Sequence, residues 1–521
     1  MYARSLSVAA VLCIGVLVPG SPGDGAGPST SKVRSGGVFR VVARSADVGP
    51  VDPALEYTAA SSALVGTTCA RLTEVAAGSP RISGDRRTYT FTLRDGFRFS
   101  DGAPVRASAF ARAINRMLAP GVDSPWAPYF ADIVGAEETL AGKTPSAAGV
   151  SARARTLSLR LRRTVPDFVA RTDILCAVPP TLPSDPEGVG AFPAAGPYYI
   201  AEYRPAERIV IRRNRFYAGK RRHHVDSFTV DLRASSFDEV LDRVERGEAD
   251  WGFALAPAYL DPDRGLAAKY GINKSQFFLS PGFGFRGYAF NVSRPLFKDN
   301  PRLRQAVNFA IDRSALRRAG GGPLESRLTD QYLPPTMKGF RDARIYPLEG
   351  PDLRRARQLA RGHTRSGKAV LYTVDTHPHP SFAQSVKQDL AKIGLDVQIK
   401  VIPLTAYFGR LGASGPYDLG FAPWIADYDD PYSVLNVLLD GHFAGSTNWA
   451  RFDSTVYNRL LRRAAGLRGA TRYRAYGDLD VRLARDAAPI VAIDYVNEPT
   501  LVSKRVGCVT PQFDLTAVCL K

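Results

Sequence analysis

The chain is expected to fold as an α/β protein, and three observations predict this. Two strand–helix–strand units can be read directly, at residues 228–253 and 369–402. No internal repeat recurs along the chain, which argues against a solenoid or propeller. A length of 521 residues exceeds what one hydrophobic core supports, so two or three lobes are expected.

The elements follow in order. Gly37–Ala43 is a first strand, and residues 57–72 are a helix carrying Cys69. Thr88–Arg94 alternates at period two, as a half-buried strand does. Asp95-Gly96 then turns the chain into Phe97–Phe99, a hairpin signal, and Ser100–Pro104 is another turn. Val105, Ala109, Ile114 and Leu118 mark one face of the next helix, and Leu157, Leu159 and Leu161 mark a strand. Gly196–Ile200 and Arg208–Arg212 form a strand pair. In the first unit, Phe228–Leu232 leads through Ser235-Ser236 into an amphipathic helix. Ser236 and Glu239 form a capping box there, and Gly247 stops the helix. Ala249–Phe253 re-enters a strand. Asn300-Pro301 supplies an N-cap and a first-turn proline for a helix bearing Leu303, Val307, Ile311 and Leu316. The second unit is a strand at Ala369–Val374, a helix at Phe382–Ile393 ended by Gly394, and an alternating strand at Leu395–Ile402. Tyr417–Trp424 is the next strand, and residues 453–486 are helical and strongly basic.

An apolar content of 45% and a charged content of 23% are those of a globular chain, not a disordered one. The net charge of +19 comes from 56 Arg and 13 Lys against 50 acidic residues, spread without a long basic run. Nucleic-acid binding is therefore not expected. Residues 1–27 read as a signal peptide: Arg4 is a thin positive region, Leu6–Val18 a short apolar stretch, and Pro19–Gly23 a break. Thirteen residues are too few for a comfortable membrane span, so export with cleavage is expected. Cys13 follows Leu12 rather than a small residue, so no lipidation is expected. Residues 28–36 form a flexible leader. Four Cys remain after cleavage, with three possible pairings. Cys508 and Cys519 are neighbours in the tail and are paired here, which leaves Cys69 with Cys176.

Trp424-Ile425-Ala426-Asp427-Tyr428-Asp429-Asp430-Pro431 is chemically the oddest stretch: an apolar strand ends in an aromatic and three carboxylates. Such acids can coordinate a hard cation, do acid/base work, or hold a ligand ammonium against the aromatics. They can equally cap a strand-to-helix turn. No nucleophile–base motif, phosphate loop or metalloprotease motif accompanies them, so a binder rather than an enzyme is expected, with no cofactor. His377-Pro378-His379 and His223-His224 read as exposed turns rather than metal sites. Trp251, Phe283 and Phe285 suit core packing as well as a ligand cleft.

Leu93-Arg94-Asp95-Gly96-Phe97-Arg98-Phe99-Ser100-Asp101-Gly102-Ala103-Pro104-Val105 resembles the signature of extracellular solute-binding proteins of the peptide/nickel class of ABC importers. Ala195–Tyr198, Arg246–Asp250, Phe290-Asn291 through Arg302–Val307 to Arg313, and Trp424–Pro431 agree in the same order. The resemblance spans roughly residues 36–505. It implies a periplasmic-binding-protein-like fold with two hinged ligand-binding lobes and an inserted third. Lobe I would take residues 36–56, 184–280 and 487–521, lobe II residues 57–183, and lobe III residues 281–486. A peptide captured between lobes I and III would be delivered to permease subunits by a monomeric protein, in the periplasm or at the outer face of the membrane. Asp427 would meet the peptide ammonium beside Trp424 and Tyr428, with Phe421 and Asn291 in the same site. One departure is visible: some peptide binders carry Arg where Phe421 stands, so no carboxylate partner is assigned. A nickel chelate, haem or oligosaccharide is the alternative ligand, and an exported hydrolase using Asp427, Asp429 and Asp430 the alternative class.

Overall fold

The structure is a computed structural model that describes residues 35–254, 256–413 and 415–521. The predicted signal peptide, Cys13 and most of the leader lie outside the described residues. The described chain forms two compact units, one of Pro281–Glu498 and the other of the residues up to Ser280 with Pro499–Lys521. Both boundaries fall inside long strands, Phe277–Phe290 and Ile490–Leu501.

The unit that ends the chain contains a five-stranded sheet in the order Tyr198–Arg204, Arg208–Arg213, Ser227–Asp231, Val38–Val42, Trp251–Gly252. Val38–Val42 runs parallel to both Ser227–Asp231 and Trp251–Gly252. Ser227–Asp231, the helix Phe237–Glu245 and Trp251–Gly252 therefore make the first expected strand–helix–strand unit, a parallel crossover. Half of its expected capping box forms. Ser236 Oγ accepts from Glu239 N at 3.1 Å, but the Glu239 carboxylate accepts from Ser235 N and Oγ instead. Trp251 packs in this core, its ring 5.0 Å from that of Phe513.

Residues between Ala54 and Ala195 build a second core in this unit, on the sheet Arg81–Ile82, Thr88–Thr92, Thr156–Arg160, Val150–Arg153. The predicted face of Val105, Ala109, Ile114 and Leu118 is buried there, on and around the helix Ala107–Met117. The turn expected at Ser100–Pro104 forms, but the hairpin expected at Asp95-Gly96 does not, because Phe97–Phe99 pairs forward with Ala103–Val105. Phe99 N donates to Ala103 O and Val105 N to Phe97 O, both at 2.9 Å or less, folding the chain about Ser100–Gly102. Phe97 and Phe99 are both buried in this arrangement. Both expected disulfides are present, Cys69–Cys176 and Cys508–Cys519.

The other unit holds a seven-stranded sheet in the order Ser326–Leu328, Ile490–Leu501, Phe277–Phe290, Leu419–Phe421, Lys368–Val374, Asp396–Ile402, with Trp424–Ile425 also on Phe277–Phe290. Lys368–Val374 and Asp396–Ile402 are parallel and joined by the helix His379–Ala391, which is the second expected unit. Residues 490–498 belong here because Asp494–Val496 ladders onto Ser326–Leu328. The sequence boundary at 486 lies before that strand. The single strand expected at Tyr417–Trp424 is two short ones, Leu419–Phe421 and Trp424–Ile425. Pro423 sits between them and has no N–H to give a ladder.

Candidate ligand-binding site

The acidic stretch hangs from the sheet at one end and from a helix at the other. Trp424 and Ile425 pair antiparallel with Phe285 and Gly284. A Cβ on Gly284 would stand 2.8 Å from Trp424 O, so only glycine lets the two backbones approach this closely. Trp424 Nε1 donates to Ser433 O at 2.8 Å, and its indole meets that of Trp449 edge-on at 5.9 Å. Ser433 Oγ donates to Tyr428 O and Asp430 O at 3.0 and 2.7 Å, tying the loop to the first turn of the helix Tyr432–Leu439.

The three carboxylates have different surroundings. Asp430 is buried and fork-bonded by Arg472, with Nη2–Oδ1 at 2.7 Å and Nε–Oδ2 at 3.2 Å. It also accepts from Tyr432 N at 2.9 Å, a local turn at the start of the helix, so its role is structural. Asp429 is half-buried with Lys338 Nζ 3.9 Å away. Asp427 is half-buried between buried Ala426 and Tyr428.

Phe421 and Asn291 lie deeper. Phe421 is buried, with the Tyr288 ring at 5.7 Å and the His379 ring at 4.3 Å. The Asn291 side chain is 1% exposed; its amide donates to Tyr417 O at 3.1 Å and accepts from Ser293 Oγ at 2.6 Å. Both hold the strand ends beneath the loop. Phe283 and Phe285 are buried as well, as core packing.

Sequence reading missed His379, which it placed in an exposed turn. His377 is exposed, but His379 is half-buried against Phe421 and Phe382. Its Nδ1 is 2.9 Å from Thr376 O, and because a carbonyl only accepts, Nδ1 carries the proton. Burial pushes the ring down to about 4 and nearby Arg286 pushes the same way, so His379 is neutral at pH 7. Arg286 is itself clamped by Asp494 through two bonds of 2.8 Å and by Glu325 at 3.0 Å. Among the described residues no cluster of three or more His, Cys, Asp or Glu could hold a metal ion.

The loop thus sets aromatic side chains and carboxylates of unequal burial at the edge of a mixed sheet. The family model of bacterial extracellular solute-binding proteins, family 5, matches residues 71–445, and the chain belongs to that family. It is the extracytoplasmic binding component of an ABC importer. The oligopeptide-binding protein OppA of Bacillus subtilis is 26% identical over 442 residues, covering 78% of each chain. The periplasmic murein peptide-binding protein MppA of Escherichia coli is 26% identical over 444 residues, covering 80% of this chain and 78% of the relative. In fold, the chain matches the solved clavulanic acid biosynthesis oligopeptide binding protein 2 with a TM-score of 0.78 at 22% identity, covering 94% and 96% of the two chains. No helix among the described residues is long and apolar enough to cross a membrane.

Proposed function

We propose that the ligand is an oligopeptide or dipeptide whose free ammonium is held by Asp427, beside Trp424 and Tyr428. Phe421 and Asn291 support this loop from below rather than touching the ligand. The observation that carries the reading is where the loop holds Asp427: half-exposed, three residues from Trp424 and next to Tyr428, on a backbone pinned to the sheet at Trp424–Ile425 and to the helix by Ser433. A carboxylate held in place loses little entropy on meeting a cation, and the pair gains strength as water is excluded. Backbone groups of neighbouring strands can hold a peptide main chain without reading its side chains. Lobes I, II and III, with the last boundary moved from residue 486 to 498, capture between lobes I and III, a monomeric state and binding without turnover belong to the same proposal.

Asp427→Asn tests it. The variant should lose about 2–5 kcal/mol of peptide affinity in calorimetry, the usual cost of leaving one member of a buried charge pair alone. Acetylating the peptide's amine should cost wild type a similar amount and the variant little more, because both changes delete one interaction. Undiminished affinity in the variant would overturn the ammonium role and favour a chelate, haem or sugar ligand. Mass spectrometry of protein purified from its own host identifies the occupant directly.

A further inference from the structure

The helices Thr455–Gly466 and Gly469–Arg482 pack against each other as a hairpin joined by Leu467 and Arg468. Arg459, Arg462, Arg463, Arg468 and Arg474 are all exposed, and none forms an ion pair among the described residues. The hairpin's carboxylates are engaged elsewhere. Asp478 pairs with Arg341, Asp486 with Arg482 and Arg485, and Asp453 accepts from Asn458 Nδ2 at 2.7 Å. Asp480 is fully buried and accepts from Tyr332 N and Leu333 N. The exposed charge of this end is therefore mostly guanidinium.

These arginines are not scattered. At about 100° per residue, Val456, Arg459, Arg462 and Arg463 fall within an arc of about 120° on one helix face. Leu461, Ala464 and Ala465 fill the opposite, buried face. Val456 is 50% exposed amid the arginines, one of the few large apolar side chains left in solvent. A helix with a core-facing side and an outer side of arginines around an apolar residue is suited to lie flat on an anionic interface.

We propose that this hairpin adsorbs the protein to the anionic surface of a phospholipid membrane. Guanidinium forks match phosphate oxygens two at a time, and the net charge of +19 adds long-range attraction. The permease that an ABC importer serves lies in the membrane, so adsorption would turn the search for it into a two-dimensional one. An acidic protein face is the competing occupant; the exposed Val456 beside the arginines favours the lipid interface.

The test is sedimentation of the full chain with vesicles of phosphatidylglycerol and phosphatidylcholine, against phosphatidylcholine alone, at low ionic strength. Wild type should bind only the anionic vesicles and be released by added salt. Each basic residue near such a surface contributes about fivefold, so combined Arg459→Gln, Arg462→Gln and Arg463→Gln should weaken binding about 100-fold. The charge-matched control is Arg81→Gln, Arg153→Gln and Arg160→Gln, exposed positions on the four-stranded sheet, and it should stay within a few-fold of wild type. Thermal melts and ligand affinity should be unchanged in both variants, which keeps this test separate from the one on Asp427. No binding to anionic vesicles, or equal loss in both variants, would overturn the proposal. Retention on an immobilised acidic protein with none on vesicles would do the same, in favour of a protein partner.

Discussion

Two loops stand out in this chain, the Asp-Gly stretch at residues 93–105 and the acidic stretch at residues 424–431, and their carboxylates do different work. In the first, Asp101 Oδ1 accepts from Ala103 N at 2.9 Å, closing a local turn. Gly96 and Gly102 both sit at φ +92°, and Phe97 and Phe99 are buried. Its distinctive residues serve to fold it. In the second, Ser433, Arg472 and the Trp424 indole satisfy the loop, while Asp427 stays at half exposure. Conspicuous residues thus mark structural demand as readily as chemistry. Within the second loop the carboxylates differ in burial, Asp430 packed against Arg472 and Asp427 half-exposed.

The contrast can be broken most severely at Asp430. Asp430→Ala removes the carboxylate that faces the buried Arg472, so stability should fall by about 3–5 kcal/mol. Asp427→Asn, at a half-exposed position and keeping the side chain's shape, should cost much less stability and act on affinity. Urea unfolding of both variants checks this; equal losses would erase the distinction between the two carboxylates.

His379 gives a smaller, pH-dependent test beneath the same loop. Its ring titrates near 6.5 in an unfolded chain and is pushed down to about 4 in the folded one. Between those values the unfolded chain takes up a proton that the folded chain refuses. Stability should therefore drop as pH falls from about 6.5 towards 4, by up to about 1.4 kcal/mol per pH unit. Urea midpoints across this window should be flatter for His379→Gln than for wild type. A slope that survives the substitution assigns the effect to another group.

Gly102→Ala should have the smallest effect. A side chain at φ +92° is strained, and the new Cβ would meet the Phe216 ring at 3.3 Å. A stability loss of about 1–3 kcal/mol is expected, with peptide affinity unchanged. An affinity loss at constant stability would show that the Asp-Gly loop contributes to binding after all.

The sequence alone determined what depends on near neighbours. The strand Lys368–Val374, the helix His379–Ala391 and the strand Asp396–Ile402 follow from hydrophobic period and a terminal glycine, and they fold within a few residues of the predicted limits. The core face of Ala107–Met117 was legible for the same reason, and proximity in the tail sufficed to pair Cys508 with Cys519. Pro423 was a local signal too, but the apolar run around it masked the break. The division of roles among Asp427, Asp429 and Asp430 was not legible, because Arg472 lies 42 positions along the chain and reaches Asp430 only when its helix packs against the loop. His379 likewise lies 42 positions before Phe421, in what reads as a turn. Local period sets where a segment is helix or strand. Which of its polar groups are already paired depends on long-range packing, and that only the tertiary structure decided.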